Sequence, residues 1–264
     1  NTYTWTYTAT SSDVEAFYDV TIFATDGNGN TSSIQELNAF EVQQADAPTV
    51  ENIVRALGEA NPTNANSVVF TVNFSENVNG VSDANFSLTT TGTASGTIAT
   101  FGPVSGTSID VTVNSVTGDG TIRLDLDVVT GIVDNESNLL DGTHIGDETF
   151  TIDNTAPEVV SINRAAGEDN PTNASSVVYT VTFDGNVSGI ATGAFSLTST
   201  GSASGTVASV SAASGTTVDV TVNTVSGDGT LRLDLTTPAV ITDEAGNSVA
   251  AVYNGDETFT IDNS

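Results

Sequence analysis

The chain has 264 residues, in which 33 Asp and Glu stand against four Arg, and its formal net charge is −29. It contains no Cys, no Met and no Lys, so a disulfide scaffold is excluded. Nucleic acid and anionic membrane surfaces are disfavoured as partners, because both are bound through Lys and Arg. Cations are the natural partners of such a chain; alternatively, the acidic residues only keep a large extracellular or halophilic protein soluble.

Residues 1–46 do not align with the start of any repeat in the chain. The stretches YTWTYTAT, FYDVTIFATDGNGNTSS and AFEVQQADAP predict the last three strands of a related domain. Three strands cannot close a sandwich, so the others either precede them in the same chain or come from a neighbouring subunit by strand addition. We favour truncation. Any targeting signal is likewise expected on sequence outside this chain.

The rest of the chain is a tandem repeat. Residues 47–155 align without a gap with residues 156–264, and 62 of the 109 paired positions are identical. A period this long exceeds that of solenoid units, whose layers share one core. We therefore predict two domains, repeat 1 (47–155) and repeat 2 (156–264), each with its own core.

Within each repeat, apolar residues alternate with polar ones. Val177, Tyr179, Val181 and Phe183 fall on one face of a predicted strand, and no helical periodicity competes with this pattern. Turn residues divide repeat 2 into seven predicted strands, at about 158–164, 176–183, 193–199, 204–211, 217–224, 230–236 and 256–262. Seven short strands in about 100 residues predict an all-β, immunoglobulin-like sandwich, here without the Cys and Trp signature of antibody domains.

Four motifs extend this prediction to a family resemblance. IDNTAP at the repeat boundary, NPTN before the second strand, GDGTLRLDL and ITDEAGN resemble the tandem bacterial Ig-like repeats of large surface adhesins and other extracellular repetitive proteins. The resemblance implies a secreted, cell-surface stalk that holds a terminal domain away from the cell. It also implies partners that are further repeats of the same chain, and calcium at the domain junctions.

The acidic residues support calcium independently. Antiparallel threading of seven strands gathers the turns at two poles, and the C-terminal pole of repeat 1 faces the N-terminal pole of repeat 2. Carboxylate and amide oxygens are the ligands that Ca²⁺ prefers. The alternative is that Asp and Asn occupy these turns only for their turn-forming chemistry. The candidate ligands are Glu59, Asp119, Asp153 and Asn154 on the first pole, and Asp184, Asp243 and Asn247 on the second.

A short motif recurs in the last inter-strand turn of each domain. Residues 26–30, 134–138 and 243–247 each begin with Asp and end with Asn. Side-chain hydrogen bonds to the backbone can stabilise such a turn without an ion, and the spacing departs from that of an EF-hand loop. For this motif alone we favour a structural turn over a calcium ligand set.

Catalysis has little support in the sequence. The single His144 aligns with Tyr253 in repeat 2, so no His-dependent triad could operate in both copies, and we expect His144 to be solvated. Two function classes remain: a non-catalytic structural extender, and a carbohydrate- or protein-binding module attached to a secreted enzyme. The most divergent segment, 127–145 against 236–254, is where we would look for binding.

The two junctions also differ in sequence. Asp153 and Asn154 precede Thr155 and repeat 2, whereas the aligned positions before repeat 1 are Gln44 and Ala45, with only Asp46 in the place of Thr155. Fewer anionic ligands weaken a calcium site. We therefore predict that the junction between the repeats binds calcium more tightly and bends less than the junction before repeat 1.

Overall fold

The computed structural model describes residues 16–42 and 46–264. The segment before repeat 1 contributes two antiparallel strands, β1 (Ala16–Thr25) and β2 (Thr31–Val42), joined by the 26–30 turn. The predicted strand YTWTYTAT lies outside the described residues. The last strand of this segment starts earlier than predicted, because β2 leaves the turn directly as a hairpin partner of β1.

Repeat 1 forms two packed antiparallel sheets. One sheet has the order β3-β4-β7-β6 and the other β5-β8-β9, with a 3₁₀ turn at Asp83–Asn85 before β5. In chain order these are strands A-B-E-D against C-F-G, the arrangement of a seven-stranded immunoglobulin constant domain. The bounds are β3 (Val50–Arg55), β4 (Ser67–Val81), β5 (Phe86–Thr90), β6 (Ser95–Ile98), β7 (Val104–Thr117), β8 (Gly120–Leu126) and β9 (Phe150–Ile152).

Repeat 2 has the same topology, with sheets β10-β11-β14-β13 and β12-β15-β17. A two-residue strand, β16 (Tyr253–Asn254), also pairs with β15, and the seven-strand prediction did not include it. The remaining bounds are β10 (Val159–Arg164), β11 (Ser176–Ser188), β12 (Phe195–Ser199), β13 (Ser204–Val210), β14 (Ser214–Ser226), β15 (Gly229–Leu235) and β17 (Phe259–Ile261). Strands β11 and β14 run several residues beyond their predicted ends. The immunoglobulin-like prediction is confirmed by this topology.

Each repeat has its own hydrophobic core. One core is built from residues between Ile53 and Ile152, and the other from residues between Val159 and Ile261. The alternation predicted from the sequence holds: Val177, Tyr179 and Val181 are fully buried. The hydrogen bonds between the two repeats, in the part of the chain that the structure describes, lie at their poles.

The poles lie where antiparallel threading predicts them. At the C-terminal pole of repeat 1, the side-chain amide of Asn154 donates to the carbonyl of Gly118 at 2.7 Å. Thr63 from the β3–β4 loop donates its backbone N–H to Thr151 at 3.0 Å. Loops that are distant in sequence therefore meet where the chain leaves the repeat. No helix in residues 16–42 and 46–264 is long and apolar enough to span a membrane.

Candidate cation site at the junction between the repeats

The C-terminal pole of repeat 1 is shaped by the Asn-Pro-Thr-Asn segment at 61–64. The side chain of Asn61 accepts the backbone N–H of Thr151 at 2.6 Å. The Thr63 carbonyl accepts the N–H of Asp153 at 3.0 Å, so this loop pairs with the chain as it leaves β9. The hydroxyl of Thr63 accepts the N–H of Ala65 at 3.1 Å. These bonds hold Asn64 and Asp153 side by side on the pole.

The N-terminal pole of repeat 2 presents the 243–247 turn. The carboxylate of Asp243 accepts the backbone N–H of Asn247 at 2.8 Å and its side-chain amide at 3.0 Å. Gly246 has φ +94°, a conformation that favours glycine. Asp26 and Asp134 make the same two bonds in their own turns. All three motifs are therefore self-supporting turns, as the structural interpretation predicts.

Direct hydrogen bonds join these two poles, and we call this set the junction clasp. The backbone N–H of Asn64 donates to the carbonyl of Ala245 at 3.2 Å, and its side-chain amide donates to Asn247 Oδ1 at 3.0 Å. The Asn247 amide in turn donates to the carbonyl of Asp153 at 2.8 Å. Neither Asn64 nor Ala245 was predicted as a junction residue: Asn64 was noted only within the NPTN motif, and Ala245 has no polar side chain and takes part through its carbonyl.

Beside the clasp lies an open cleft of about 350 Å³ between the two poles. Three of the predicted ligands line it, Asp153 from repeat 1 and Asp184 and Asp243 from repeat 2, together with Glu244. Its other lining residues are Pro62, Thr155, Ala156, Pro157, Gly185 and Asn186. The structure thus brings four carboxylates from both repeats to one solvent-accessible cleft.

Two of these carboxylates accept a backbone hydrogen bond at one of their two oxygens. Asp153 Oδ1 accepts the N–H of Thr155 at 3.0 Å, and Asp184 Oδ1 accepts the N–H of Glu158 at 2.9 Å. Their second oxygens take no hydrogen bond from the described part of the chain, so both carboxylates are oriented and still able to bind a cation. Oxygen donors of this kind suit a hard divalent ion such as Ca²⁺.

No basic side chain of residues 16–42 and 46–264 lines this cleft. All four arginines pair within their own repeats, and none of them lines the cleft. The pairs are Arg55 with Glu148, Arg123 with Asp125, Arg164 with Glu257 and Arg232 with Asp234. Electrostatic compensation of the four carboxylates must therefore come from solution.

The remaining predicted ligands have other places. Asp119 holds the linker: it accepts the N–H of Asn154 at 2.6 Å and the hydroxyl of Thr155 at 3.1 Å. Asn247 uses its side chain in the clasp, and Glu59 is not among the residues that line the cleft. Six of the seven predicted ligands are thus divided among the cleft, the linker and the clasp, and Glu59 belongs to none of them.

The N-terminal pole of repeat 1 carries a cluster of three carboxylates that was not predicted from the sequence. Oxygens of Glu76, Asp134 and Glu136 lie within 4.8 Å of one another. Burial raises the pKa of Asp134, but hydrogen bonds from Asn138 and from the backbone outweigh it and leave the pKa below its usual value. A sequence signal existed, since Glu76 and Glu136 align with Gly185 and Ala245. The predicted difference between the junctions rests on the linkers alone, and Gln44 and Ala45 lie outside the described residues.

One sequence prediction about the strands is wrong. Two-residue alternation in TIRLDL (121–126) predicts that Asp125 points to solvent from β8, yet Asp125 is buried, and so is its counterpart Asp234. The carboxylate of Asp125 accepts hydrogen bonds from Arg123, Thr89 and the backbone of Gly146. Burial raises the pKa of Asp125, but these donors outweigh it and lower the pKa. The β8–β9 loop folds over the strand, which a two-residue periodicity cannot reveal.

His144 also differs from its expected solvated state. Its Nε2 lies 2.8 Å from Asp147, whose carboxylate also accepts the N–H of Ile53. Tyr253 donates to Asp256 in the same place in repeat 2, so both residues support the same strand connection. The divergent segment that contains them lies at the N-terminal pole, and in repeat 2 it supplies the turn of the junction clasp.

Comparisons with known proteins add no family assignment. No protein-family profile matches the chain, and no curated protein matches it. Among solved structures, the chain is similar to the Escherichia coli adhesin FdeC at 15% identity and a TM-score of 0.40, with 95% of this chain and 84% of that one covered. The D0-D1 domain of intimin is similar at 14% identity and a TM-score of 0.22, with 78% and 98% covered. A marsupial T cell receptor is similar at 11% identity and a TM-score of 0.23, with 82% and 100% covered. Since these scores are low, the immunoglobulin-like assignment is based on the strand order of the repeats.

Proposed function

We propose that this chain is a non-catalytic, extracellular structural extender of a large cell-surface adhesin or filament, and that calcium stiffens the junction between its repeats. The observation that carries the proposal is the cleft between the poles, where Asp153 of one repeat meets Asp184, Asp243 and Glu244 of the next. The repeats share strand order, core and polar networks, as expected of units that propagate a shape.

The electrostatics explain why an ion would stiffen this junction. Four carboxylates around one cleft repel one another, and monovalent salt screens charges only beyond about 8–10 Å. A divalent ion bound by carboxylates of both repeats converts this repulsion into a bridge. The clasp alone consists of three hydrogen bonds, each of which contributes about 0.5–1.5 kcal/mol at most. A bound calcium ion would therefore add to the rigidity that the clasp supplies.

The direct test is a calcium titration of the whole chain by calorimetry, with small-angle scattering in calcium and in chelator. We expect binding, a longer mean end-to-end distance with calcium, and a higher melting temperature by mass action. Asp153→Asn should weaken the binding at this junction without unfolding either repeat, because Asp153 lies in the linker. Asp110→Asn, which removes an exposed strand carboxylate outside the cleft, is the matched control. Scattering curves and melting temperatures that do not respond to calcium would refute the proposal.

The predicted difference between the junctions has its own measurement. Residues 47–264 contain the junction between the repeats, and residues 1–155 contain the one before repeat 1. We expect tighter calcium binding by the 47–264 chain. Equal or stronger binding by the 1–155 chain would show that the linker acids are not decisive; Glu76→Gln would then test whether the carboxylates at the N-terminal pole of repeat 1 account for it.

A further inference from the structure

The junction clasp has two halves, one on each repeat. Its C-terminal half is the 61–64 segment with the carbonyl of Asp153, and its N-terminal half is the 243–247 turn. The C-terminal half occurs twice in the chain, because residues 170–174 repeat Asn-Pro-Thr-Asn-Ala and Asp262 repeats Asp153. The N-terminal half does not recur unchanged, since Ala245 is replaced by Glu136 in repeat 1.

The C-terminal pole of repeat 2 has the same internal structure as that of repeat 1. Asn170 accepts the N–H of Thr260 at 2.6 Å, as Asn61 accepts that of Thr151. The N–H of Asp262 donates to the carbonyl of Thr172 at 3.0 Å, as Asp153 donates to Thr63. The Asn-Pro-Thr-Asn segment and Asp262 are therefore already held in place at this pole without a further repeat.

Burial shows what the contact covers. Thr63 is 5% exposed beneath the turn of repeat 2, whereas its counterpart Thr172 is only half-buried. Asp153 is half-buried and its counterpart Asp262 is exposed. Residues 169–173 and Asp262 instead line an open cleft of about 370 Å³. The surface that repeat 2 occupies on repeat 1 is thus exposed on repeat 2.

The third residue of the turn decides which N-terminal pole fits this surface. Ala245 is 8% exposed, and its carbonyl accepts the hydrogen bond from Asn64. At the same place in repeat 1, Glu136 is exposed and lies near two other carboxylates. A buried unpaired carboxylate is strongly unfavourable, so a turn with Glu where Ala245 is buried does not fit this surface.

We propose that the C-terminal pole of repeat 2 is a docking surface for the 243–247-type turn of another Ig-like repeat, one with a small residue at the position of Ala245. Asn173 would take the place of Asn64 and donate to the turn. This inference rests on the proposed function as an array, and it deepens it by naming the recognition residues. Because its donors and acceptors are amides and carbonyls, the contact requires no metal ion.

The test extends the 264-residue chain with a second copy of residues 156–264 after Ser264. The protein has no Cys, so spin labels can be placed at single introduced cysteines. A label pair at the exposed Ser108 and Thr217 spans the existing junction, and Thr217 with its counterpart in the added copy spans the new one. Pulsed electron spin resonance then gives a distance distribution for each junction.

In chelator, we expect the new junction to show the same mean distance and narrow width as the existing one. Asn173→Ala should abolish the narrow peak at the new junction only, and Asn64→Ala should abolish it at the existing junction only. Ala245→Glu in the added copy should likewise abolish the narrow peak at the new junction. Hydrogen exchange within repeat 2 should remain unchanged in these variants, since Asn173 is exposed.

The outcomes separate this inference from the calcium proposal. A narrow peak in chelator that depends on Asn173 supports the clasp, even if calcium has no effect on it. A new junction that is broad in chelator, or whose width does not respond to Asn173→Ala and Ala245→Glu, overturns the inference. If calcium alone narrows such a junction, the inference fails while the stiffening proposal stands.

Discussion

Replacement of the buried aspartate on β15, Asp234→Asn, should destabilise repeat 2 far more than its small change in volume suggests. The carboxylate accepts four hydrogen bonds, two at each oxygen. Oδ1 accepts Arg232 Nε at 2.7 Å and the N–H of Gly255 at 2.9 Å, and Oδ2 accepts Arg232 Nη2 at 3.2 Å and the hydroxyl of Thr198 at 2.5 Å. An amide can present only one oxygen, so two donors would face its NH₂ group.

The magnitude follows from this geometry. Breaking a buried ion pair by removal of one partner costs about 3–5 kcal/mol. The Asp234 side chain is 6% exposed but that of Arg232 is 31% exposed, so water partly solvates the remaining cation. We therefore expect about 3 kcal/mol. With an unfolding entropy of about 2.1 cal/mol/K per residue, a domain of this size should melt roughly 13 °C lower.

Calorimetry of the whole chain, with hydrogen exchange resolved by peptide, assigns the loss to one repeat. Asp219→Asn is the matched control: the same change in the same repeat, on an exposed carboxylate that accepts Thr180. Asp125→Asn should produce the mirror result, with repeat 1 unfolding first. If Asp234→Asn lowers the melting temperature of repeat 2 no more than Asp219→Asn does, the buried network does not stabilise the fold.

Three further predictions concern the repeats themselves. Hydrogen-bond donors hold the pKa of Asp125 and Asp234 below the usual value. The contribution of these carboxylates to the free energy of unfolding should therefore be fully present above about pH 4 and be lost as the pH falls through the lowered pKa values. Melting curves from pH 7 to pH 2 would show this loss. Gly227→Ala should lower the free energy of unfolding by about 1–3 kcal/mol or more, because φ is +79° and a Cβ would lie 2.1 Å from the carbonyl of Ser202. Gly193→Ala is the control: a Cβ there meets no atom within 4 Å, so the same denaturant titration should show almost no change. Tyr179→Phe removes a buried hydroxyl that donates to a carbonyl at 2.6 Å and should cost about 1 kcal/mol by chemical denaturation, and no loss there would show that the bond contributes little.

Alternation and repetition in the sequence were sufficient to predict the fold. Val177, Tyr179 and Val181 can share a buried face only if the chain is extended, because successive side chains of a strand point to opposite sides. The 109-residue offset placed each strand of one repeat at the same position in the other. Turn residues then set the number of strands, and antiparallel threading predicted which acids gather at which pole.

The local sequence pattern predicts neither the burial of Asp234 nor the partner of Asn64. Periodicity assigned Asp125, the counterpart of Asp234, to solvent, yet both are buried, and a loop more than 20 residues away supplies one of the donors to Asp234. Asn64 contacts a turn more than 180 residues later, and no local property of Asn64 indicates that partner. The sequence by itself determined the strands, the core and the polarity of the poles, since these follow from hydrophobic alternation and chain direction. Only the tertiary structure decided which carboxylates share the cleft and that neutral amides join the repeats, because both depend on loops that meet in space.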